Sequence, residues 1–386
     1  MSDWSDGSSD EQALPEITVT AFRKEGDDDL ILIVNGLQMS GWSSLRVTRG
    51  IERFPSDFDV EMTELYPDEA DAFVVNPGDY CQVKLGEDLV LTGYVDRVTP
   101  VIEAGNHSIR VSGRSKGSDL VDCAAEWPGL QIIGEDVLGV ARRLATPYSQ
   151  EHGGIEVHTD VDTAARFPPI NLMQGTPPFA IIESLCRVAA LLAYDTPEGN
   201  LFLTRAGTGA AGNGFQQGKN IMAASVTYSI DQRFSQYDAY VQAFSSYGFL
   251  GEDVNFIATV YDPNVGRHRK HVTLLEAGDN TSFDITKQRA AWEAQRREGR
   301  SNQVFLKTDS WRDVNGELYA PNTLVPLDIP ALKLVGKTWL ISEVTYKRDL
   351  REGTTCDLVI MPASAFLPQP VVPYVALRGV DNVVAP

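Results

Sequence analysis

Two long stretches of the chain alternate apolar and polar residues in short runs, with turn sequences between the runs. Ile17-Thr18-Val19-Thr20-Ala21 is the first run, the turn Glu25-Gly26-Asp27-Asp28-Asp29 follows, and Leu30 to Val34 is the next run. A period of two places successive side chains on opposite faces of a strand. Residues 16–116 are therefore predicted to form a small antiparallel β-barrel or sandwich.

The strand signal returns after residue 220, and residues 220–365 are predicted to form a second barrel. Its runs begin near residues 224, 239, 256, 271, 304, 338 and 355. One helix is expected from about Thr286 to Glu298, with Gly299 placed to end it. The order of turn, strand, hairpin and strand in residues 76–95 resembles that in residues 321–344, and either a duplicated barrel or a chance recurrence explains the likeness.

Between the two β-rich stretches, residues 117–206 have the pattern of a mixed α/β unit. The apolar spacing from Asp136 to Thr146 indicates an amphipathic helix that Pro147 ends. A second helix is expected with Thr176 as its cap and Pro177 in its first turn, and Asn200 to Thr204 is expected to be a short strand. The fold class expected for the whole chain is mainly β, with two tube-like antiparallel β-barrels and a central mixed α/β domain.

The remaining segments are expected to be connections or tails. Residues 207–219 are predicted to be a Gly-rich linker. They contain the dinucleotide-binding pattern Gly207-Thr208-Gly209-Ala210-Ala211-Gly212, but a dinucleotide site needs a helix directly after this pattern, and more loop follows here. Residues 1–15 are predicted to be a disordered acidic tail. Residues 366–386 are predicted to be an extended Pro-rich tail.

The charge balance limits the partners that the chain can bind. It has 33 Lys and Arg against 53 Asp and Glu, for a net charge of −20 at pH 7. Specific binding to duplex DNA or to an anionic membrane needs a positive surface, which this composition disfavours. The longest apolar run, Val188 to Tyr194, is far below the roughly 18 residues that a membrane span requires. Neither nucleic-acid binding nor membrane insertion is expected.

The four cysteines are expected to be buried thiols of a protein made in a reducing cytoplasm. Cys81, Cys123, Cys186 and Cys356 are too far apart in the sequence for a zinc or redox motif. The pair His268 and His271 is flanked by cations and has no acidic or thiol partner at ligand spacing. No metal and no cofactor are therefore expected.

Gly113-Arg114-Ser115-Lys116-Gly117 matches the nucleophile-elbow pattern of serine hydrolases. In such enzymes a sharp turn from strand to helix exposes the serine, and nearby N–H groups hold an oxyanion. The elbow also needs parallel βα units around it, whereas the preceding residues look antiparallel. A junction between domains is therefore favoured over catalysis by Ser115. In the esterase alternative, His152 or His158 would serve as the base.

The helix near Thr286 is unusually basic for an acidic chain. It carries Lys287, Arg289, Arg296, Arg297 and Arg300 against Glu293 and Glu298. Either this is a solvated helix face, or it contacts an acidic neighbouring subunit. On the second interpretation, Trp292, Arg296 and Arg297 are candidate subunit-interface residues.

Several segments together resemble a known family. They are Gly113-Arg114 with Asp119-Leu120-Val121-Asp122-Cys123, Thr176-Pro177-Pro178-Phe179, Gly199 to Arg205, and Trp292 to Arg297 leading to Trp311-Arg312 and Leu318 to Val325. The pattern is similar to that of the baseplate hub proteins of Mu-like contractile-tailed phages, over about residues 16–365. The same resemblance implies kinship with the hub portion of type VI secretion spikes.

This resemblance implies a structural, non-enzymatic hub in the tail baseplate of a virion that is assembled in the host cytoplasm. Three chains with two barrels each would form a ring of six, which adapts a trimeric spike to a hexameric tail tube. The expected partners are two further copies of the chain, the central spike and the tube protein, with the wedge and tape-measure proteins as additional candidates. The net charge of −20 suggests that carboxylates line the ring and repel passing DNA.

Two other functional classes stay open at this point. A serine esterase would use Ser115. A glycan-binding tail module would present exposed aromatic clusters, whereas the Trp residues are scattered along the chain, at positions 4, 42, 127, 292, 311 and 339.

Overall fold

The computed structural model describes residues 29–63, 75–103, 106–148, 154–163, 170–207, 209–210, 214–242, 256–276 and 283–367. The strand predicted at Ile17 to Ala21, the acidic tail 1–15 and almost all of the Pro-rich tail 366–386 lie outside these residues. No helix in the described part of the chain is long and apolar enough to span a bilayer.

The first β unit consists of seven strands before residue 116. They are β1 (Leu30–Val34), β2 (Leu37–Met39), β3 (Ser44–Gly50), β4 (Arg53–Thr63), β5 (Tyr80–Leu85), β6 (Asp88–Glu103) and β7 (Asn106–Ser115). All of their pairings are antiparallel. Alternate residues of β1 and β5 are buried, as the period of two in the sequence predicts.

The central unit combines three helices with short strands. In chain order these are α1 (Ser118–Asp122), β8 (Gln131–Ile132), α2 (Val137–Ala145), β9 (Val157–Thr159), β10 (Ile170–Asn171), α3 (Pro178–Ala189), β11 (Leu192–Asp195) and β12 (Leu201–Thr204). β12 pairs antiparallel with β11 and parallel with β9, so this small sheet is mixed. A separate hydrophobic core, which includes Leu120, Val140, Ile182 and Leu203, holds the unit together.

The second β unit contains the remaining strands and one long helix. In chain order these are β13 (Gly209–Ala210), β14 (Phe215–Gln216), β15 (Ala223–Tyr228), β16 (Gln236–Gln242), β17 (Phe256–Tyr261), β18 (Lys270–Glu276), α4 (Phe283–Arg300), β19 (Asn302–Thr308), β20 (Thr323–Ile329), β21 (Leu334–Asp349) and β22 (Gly353–Met361). β16, β17 and β18 form a separate sheet, the insert sheet, with β16 in the middle. The predicted fold class, mainly β with a mixed α/β insert, is confirmed.

Five strands of the second unit repeat the arrangement of five strands of the first. In the sheet, the first unit runs β3-β4-β7-β6-β5, and the second runs β15-β19-β22-β21-β20. Numbered along the chain within each set, both orders are first, second, fifth, fourth, third. We call these two sets the first and second repeats.

The hydrogen-bond register of the repeats also agrees. β6 and β21 are both 16 residues long. Each has a bulge at its third residue, Val90 or Gly336, and another at its ninth, Asp96 or Ser342. A bulge inserts one unpaired residue and turns the strand, so two bulges at matching positions give the two long strands the same bends.

The turn before each hairpin matches as well. Gly78 and Asn322 occupy the same place ahead of β5 and β20, and both have positive φ, at 94° and 63°. The Gly78 N–H donates to the carbonyl of Val95 at 2.7 Å, and the Asn322 N–H donates to that of Ile341 at 2.9 Å. The resemblance between residues 76–95 and 321–344 in the sequence therefore reflects a structural repeat.

The two β units are joined edge to edge in one continuous sheet, which the sequence did not predict. β21 pairs antiparallel with β3 over seven residues, from Glu343 opposite Gly50 to Asp349 opposite Ser44. One hydrophobic cluster contains buried residues of both units, including Val47, Phe58, Val344 and Leu358. The two units are therefore bonded and packed as one body.

The helices differ from the predictions at their ends. α2 is confirmed, with the Asp136 carboxylate accepting from the Gly139 N–H at 2.9 Å. α3 begins after Pro177 instead of a Thr176 cap, and its first residue is Pro178. Gly299 does not end α4, because the helix continues to Arg300. A Cβ on Gly299 would lie 2.4 Å from the amide nitrogen of Ala365, so a glycine is needed here for close packing.

Candidate functional site

The junction between β21 and β3 places large side chains of one repeat against the core of the other. Tyr346 lies opposite Val47, and both are buried. The Tyr346 hydroxyl donates to the carbonyl of Tyr319, and burial raises the pKa of this phenol well above its usual value. The indole N–H of Trp311 donates to the carbonyls of Lys347 and Thr355, each at 3.0 Å. Beside the junction, Tyr346 and Trp311 are therefore buried and hydrogen-bonded within the second unit.

Two strands of the repeats have an edge that lacks a neighbouring strand among the described residues, as does β2, which lies outside the repeats at the other end of the strand order. β15 lies at one end of the strand order and pairs with β19 alone. β6 pairs with β5 only as far as Tyr94, while its pairing with β7 continues to Glu103. We call β15 and residues 97–103 of β6 the two open edges. Free backbone donors and acceptors of this kind are sites for pairing with another chain.

Exposed apolar side chains accompany both open edges. Ile102 of β6 is 82% exposed, and Tyr228 of β15 is 56% exposed. Met222 and Ile230, which flank β15, are also exposed. Soluble proteins bury or scatter such residues, so apolar side chains along unpaired strand edges indicate a surface that another molecule covers.

The face of the shared sheet opposite the core carries paired charges. Arg46 and Arg53 both contact Asp57, at 2.6 and 2.7 Å. Arg110 contacts Asp59 at 2.8 Å. Lys347 contacts Asp357 at 2.5 Å on the second repeat. Three of these four contacts join neighbouring strands, so the polar face bears ion pairs instead of carboxylates alone.

Arg114 fixes the bulge of β6 on this polar face. Its guanidinium lies 2.5 Å from Asp96 and 2.7 Å from Asp122 of α1. Hydrogen bonds to Asp96 and then to Asp122 raise the pKa of Arg114 further, and the bond to Arg114 lowers the pKa of Asp122. The arginine thus connects the sheet to the central unit at the place where β6 bends.

Two of the three candidate interface residues lie together inside one chain. Trp292 and Arg296 line a cavity of about 560 Å³ between α3, α4 and the segment before Leu367. The Trp292 indole donates to the Leu367 carbonyl at 2.7 Å, and the Arg296 guanidinium lies over its ring. Arg296 also lies 3.7 Å from Glu52. Contacts within the chain therefore engage both side chains, and their role at a subunit interface stays a prediction.

Arg297, the third candidate, does not line this cavity. It contacts Glu293 at 3.0 Å and the carbonyl of Gln232 at 3.3 Å, and it lies over the Phe234 ring. Burial, followed by the charge of Arg297, lowers the pKa of His271. Arg297 therefore helps to hold the insert sheet against α4, and its interface role also stays a prediction.

Ser115 does not have the environment of a catalytic serine. It is the last residue of β7 in an antiparallel ladder, opposite Gly93, and it is 1% exposed. Its hydroxyl has no hydrogen-bond partner among the described residues. The neighbouring Lys116 amine donates to the Gly154 carbonyl. His158 lies against Glu156 at 3.1 Å, and His152 is outside the described residues.

The two glycines of the elbow pattern are explained by packing. A Cβ on Gly113 would lie 2.2 Å from the carbonyl oxygen of Tyr94 and 2.6 Å from the Phe58 ring. A Cβ on Gly117 would lie 2.3 Å from the Phe54 ring. The motif therefore marks the close approach of β6, β7 and the central unit, as the junction interpretation predicts.

The stretch predicted as a Gly-rich linker is partly built into the sheet, which corrects that prediction. β13 and β14 both pair parallel with β20. Phe215 is 1% exposed and packs on Tyr319 with ring centroids 5.3 Å apart. The high glycine content of residues 207–219 is typical of a linker, so the sequence did not predict this pairing.

The cysteines are free thiols, and one departs from the prediction. Cys81, Cys186 and Cys356 are buried, whereas Cys123 is exposed just after α1. Burial raises the pKa of Cys186 to about 12, which makes this thiol unreactive. The described residues contain no cluster of three or more His, Cys, Asp or Glu that could hold a metal ion.

Three family models match this chain in succession. Residues 29–115 match the N-terminal domain of the Mu phage baseplate assembly protein GpP-like family. Residues 117–205 match the second domain of the gp44-like baseplate hub proteins. Residues 282–369 match the fourth domain of the Mu phage baseplate assembly protein GpP. The chain belongs to the Mu-like family of phage baseplate hub proteins.

Relatives of this hub family match over most of its length. The baseplate hub protein gp44 of Escherichia phage Mu is 27% identical over 345 residues, which are 87% of this chain and 88% of that protein. The 43 kDa tail protein of prophage MuSo2 from Shewanella oneidensis has 29% identity and a TM-score of 0.77, over 88% of this chain and all of that one. The hub is thus similar to phage tail proteins over most of its length.

The same fold is found outside phages. The E. coli c3393 protein, described as a component of the type VI secretion system, superimposes with a TM-score of 0.52 at 10% identity, over 89% of this chain and 80% of that one. At this identity the likeness concerns the fold alone. The expected kinship with the type VI system therefore holds at the level of fold.

Proposed function

We propose that this hub protein assembles as a ring of three chains and adapts a trimeric spike to a hexameric tail tube. The observation that carries this proposal is the repeat within one chain. Two equivalent sets of strands are joined edge to edge through β21 and β3, and an open edge remains on each repeat. One chain thus contains two of the six positions that such a ring needs.

The contact that joins the repeats is of the kind that a closed ring requires. The fourth strand of the second repeat pairs with the first strand of the first repeat, so the contact is head to tail. Head-to-tail contacts close into rings when the rotation between units divides a full turn. The count of three chains comes from the family resemblance, since a ring of six repeats made from pairs contains three chains.

The polar face of the sheet is suited to line a channel through this ring. The core face is already filled by the shared hydrophobic cluster. On the polar face, the cations Arg46, Arg110 and Lys347 already contact carboxylates, so a passing phosphate would have to displace an existing partner. This replaces the expected all-acidic lining with a wall of ion pairs, and we propose that DNA slides along it with little adhesion.

The hub is proposed to act without catalysis, through contacts with the spike, the tube and other baseplate proteins such as wedge and tape-measure proteins. Its named relatives are structural tail proteins. The buried Ser115 argues against an esterase. Of the described Trp residues, Trp127, Trp311 and Trp339 are buried, which argues against a glycan-binding cluster.

The mass and shape of the purified full-length protein test this proposal. Light scattering should give the mass of three chains, or a concentration-dependent mixture of one and three. Electron microscopy of the larger species should show a ring with a central hole. Its subunit interfaces should each bury on the order of 2,000 Å². A stable dimer, or a closed particle without a hole, contradicts the ring.

A spectroscopic ester assay tests the alternative directly. The hub should not hydrolyse an activated ester above the background rate, and Ser115→Ala should leave that rate unchanged. Hydrolysis that disappears in Ser115→Ala would favour the enzyme instead.

A further inference from the structure

The second repeat joins the first through the pairing of β21 with β3, and the corresponding part of β6 has no such neighbour among the described residues. Within the chain, β21 pairs with β20 on one edge and, beyond its second bulge, with β3 on the same edge. In the first repeat, β6 pairs with β5 in the same way, but no strand takes the place of β3 among the described residues. The strand equivalent to β3 is β15, whose outer edge is open.

We infer that β15 of one chain pairs antiparallel with residues 97–102 of β6 in a second copy, which continues the sheet between subunits. This pairing rests on the proposed ring, and it names the strands and the register that close it. The open edge of β15 in one chain is therefore covered by the open edge of β6 in a neighbouring copy.

The register follows from the strand pairs, beginning with the first repeat. Val47 of β3 lies opposite Phe58 of β4, Phe58 opposite Gly113 of β7, and Gly113 opposite Val95 of β6. Val95 is the residue just before the second bulge. Val47 is thus fixed relative to that bulge by three successive rungs.

The second repeat gives the same three rungs. Val226 of β15 lies opposite Val304 of β19, Val304 opposite Ile360 of β22, and Ile360 opposite Ile341 of β21. Ile341 also just precedes the second bulge. Val226 is therefore the counterpart of Val47.

The register of β21 against β3 predicts the register of β6 against β15 of the next chain. Val47 lies opposite Tyr346, which is four residues beyond the bulge residue Ser342. The residue four beyond the bulge residue Asp96 is Pro100. Pro100 of one chain is therefore expected opposite Val226 of the next.

Antiparallel order then gives the neighbouring pairs. Val101 is expected opposite Ser225, and Thr99 opposite Thr227, with these four side chains on the polar face. Ile102 is expected opposite Ala224 on the core face. The side-chain parity matches, because Ala224 and Val226 already pack on the shared core, as Val98 does on the β6 side. A shift of one residue would turn the apolar side chains of one strand to the polar face.

Burial supports the same assignment. Val47 is 0% exposed with β21 beside it, whereas its counterpart Val226 is only partly buried without such a neighbour. Ile102 is 82% exposed although its strand belongs to the sheet. Pairing would cover both, as β21 covers Val47.

Pro100 gives the β6 edge a second property. It has no N–H, so it cannot donate to an added strand, and a proline on an edge strand disfavours pairing with arbitrary chains. The ladder with β15 therefore lacks one donor from β6 and depends on fitting side chains as well as on backbone bonds. This favours the matched edge of a second copy over non-specific aggregation.

Cysteine crosslinking of the full-length protein tests the register. Val101→Cys with Ser225→Cys, in a Cys123→Ser background that removes the exposed native thiol, places two thiols on directly opposite residues of neighbouring chains. Opposite residues in an antiparallel pair have Cα atoms about 4.5 to 5.5 Å apart, within the range for a disulfide. Mild oxidation should convert the protein to covalent dimers and trimers on a non-reducing gel.

The matched control is Thr99→Cys with Ser225→Cys in the same background. Its thiols lie on the same face but two residues out of register, about 7 to 8 Å apart, where a disulfide does not form without distortion. At least tenfold slower crosslinking is expected. Equal rates for the two variants, or faster crosslinking of the control, overturn the register.

Hydrogen exchange of the unmodified protein gives an independent readout. Those amides of β15 and of residues 97–102 that point to the open edges should exchange more slowly in the trimer than in the dilute monomer, whereas the alternate amides already face β19 or β7. Light scattering on the same samples separates the two proposals. A trimer whose edge amides stay unprotected and whose Val101→Cys, Ser225→Cys variant does not crosslink overturns the strand pairing and leaves the ring intact. A protein that stays monomeric at all concentrations overturns both.

Discussion

The two repeats have the same strand order and register, yet their first strands have different surroundings. β3 lies between β4 and β21, and its Val47 is fully buried. β15 has β19 on one side only, and its Val226 is partly exposed. Strands that are equivalent in the sheet therefore contribute differently to folding. β3 is held by its own chain, whereas the complete environment of β15 requires a second copy.

The repeats also differ in continuity along the chain. Among the described residues, no other helix or strand separates the five strands from β3 to β7, whereas the insert sheet and α4 separate β15 from β19 in the second repeat. The inserted elements leave the pairing of β15 with β19 unbroken over six rungs. An insertion between two neighbouring strands of a ladder is thus tolerated when it leaves from the ends of the strands.

The first prediction compares Val47 with its counterpart. Val47→Asp places an unpaired carboxylate in the shared core, and we expect a loss of about 4 kcal/mol in the free energy of unfolding. Val226→Asp should cost the dilute monomer only about 1 kcal/mol, because the carboxylate can reach water at the open edge. Urea unfolding at low protein concentration measures both values. Similar losses at the two positions would contradict the difference between the repeats.

The second prediction concerns the packing that holds α4 on the second repeat. Gly299→Ala improves intrinsic helix propensity by up to about 1 kcal/mol, but the new methyl group would lie 2.4 Å from the Ala365 nitrogen. Overpacking of this kind should outweigh the gain and leave a net loss of about 1 to 2 kcal/mol.

Thermal unfolding of Gly299→Ala measures this loss, with Gly266→Ala as the control. Gly266 has open space around its Cβ position. The control should change stability by less than about 0.5 kcal/mol. Stabilisation by Gly299→Ala would show that the contact with Ala365 yields without cost.

Local patterns in the sequence were sufficient to predict the elements that local contacts determine. The hairpins follow from alternation and turn residues, and α2 follows from the apolar spacing between Asp136 and Thr146 that Pro147 ends. Gly299 was misassigned as a helix end because its partner, Ala365, is distant in sequence and approaches only in the folded chain. The strands β13 and β14 were missed because they pair with β20 from a glycine-rich stretch.

The candidate assembly surface was beyond the reach of the sequence for a related reason. β3 and β15 both alternate apolar and polar residues, and alternation does not tell whether a strand has one neighbour or two. Only the fold shows that β21 covers one of them and leaves the other open. The basic composition of α4 suggested a subunit interface, but Trp292 and Arg296 both make contacts within the chain.

The third prediction uses pH to test the insert sheet, which has no counterpart in the first repeat. Burial raises the pKa of Asp238, but the Lys270 amine at 2.5 Å and hydrogen bonds from Gln236 and Thr259 prevail and hold it at about 2. A depressed folded-state pKa stabilises the protein above the unfolded value of about 3.9. That contribution should be lost as the pH falls from about 4 to 2.

Asp238→Asn and Lys270→Met should each remove part of this acid dependence. Chemical unfolding at a series of pH values should show a shallower loss of stability below pH 4 in both variants than in the unmodified protein. An unchanged slope in Asp238→Asn would mean that this carboxylate is not stabilised in the folded protein.

The smallest expected effect on folding belongs to Ile102, at the open edge of the first repeat. Ile102→Asp should change the unfolding free energy of the monomer by less than about 0.5 kcal/mol, because the side chain is 82% exposed. The same change should weaken association by at least about tenfold, since a carboxylate opposite Ala224 would be buried between subunits. Sedimentation over a range of concentrations measures the association.

Leu350→Asp is the matched control, because Leu350 is 89% exposed in the turn after β21 and lies on neither open edge. If both substitutions weaken association equally, general surface charge is responsible, and the open edge of β6 has no special part in assembly.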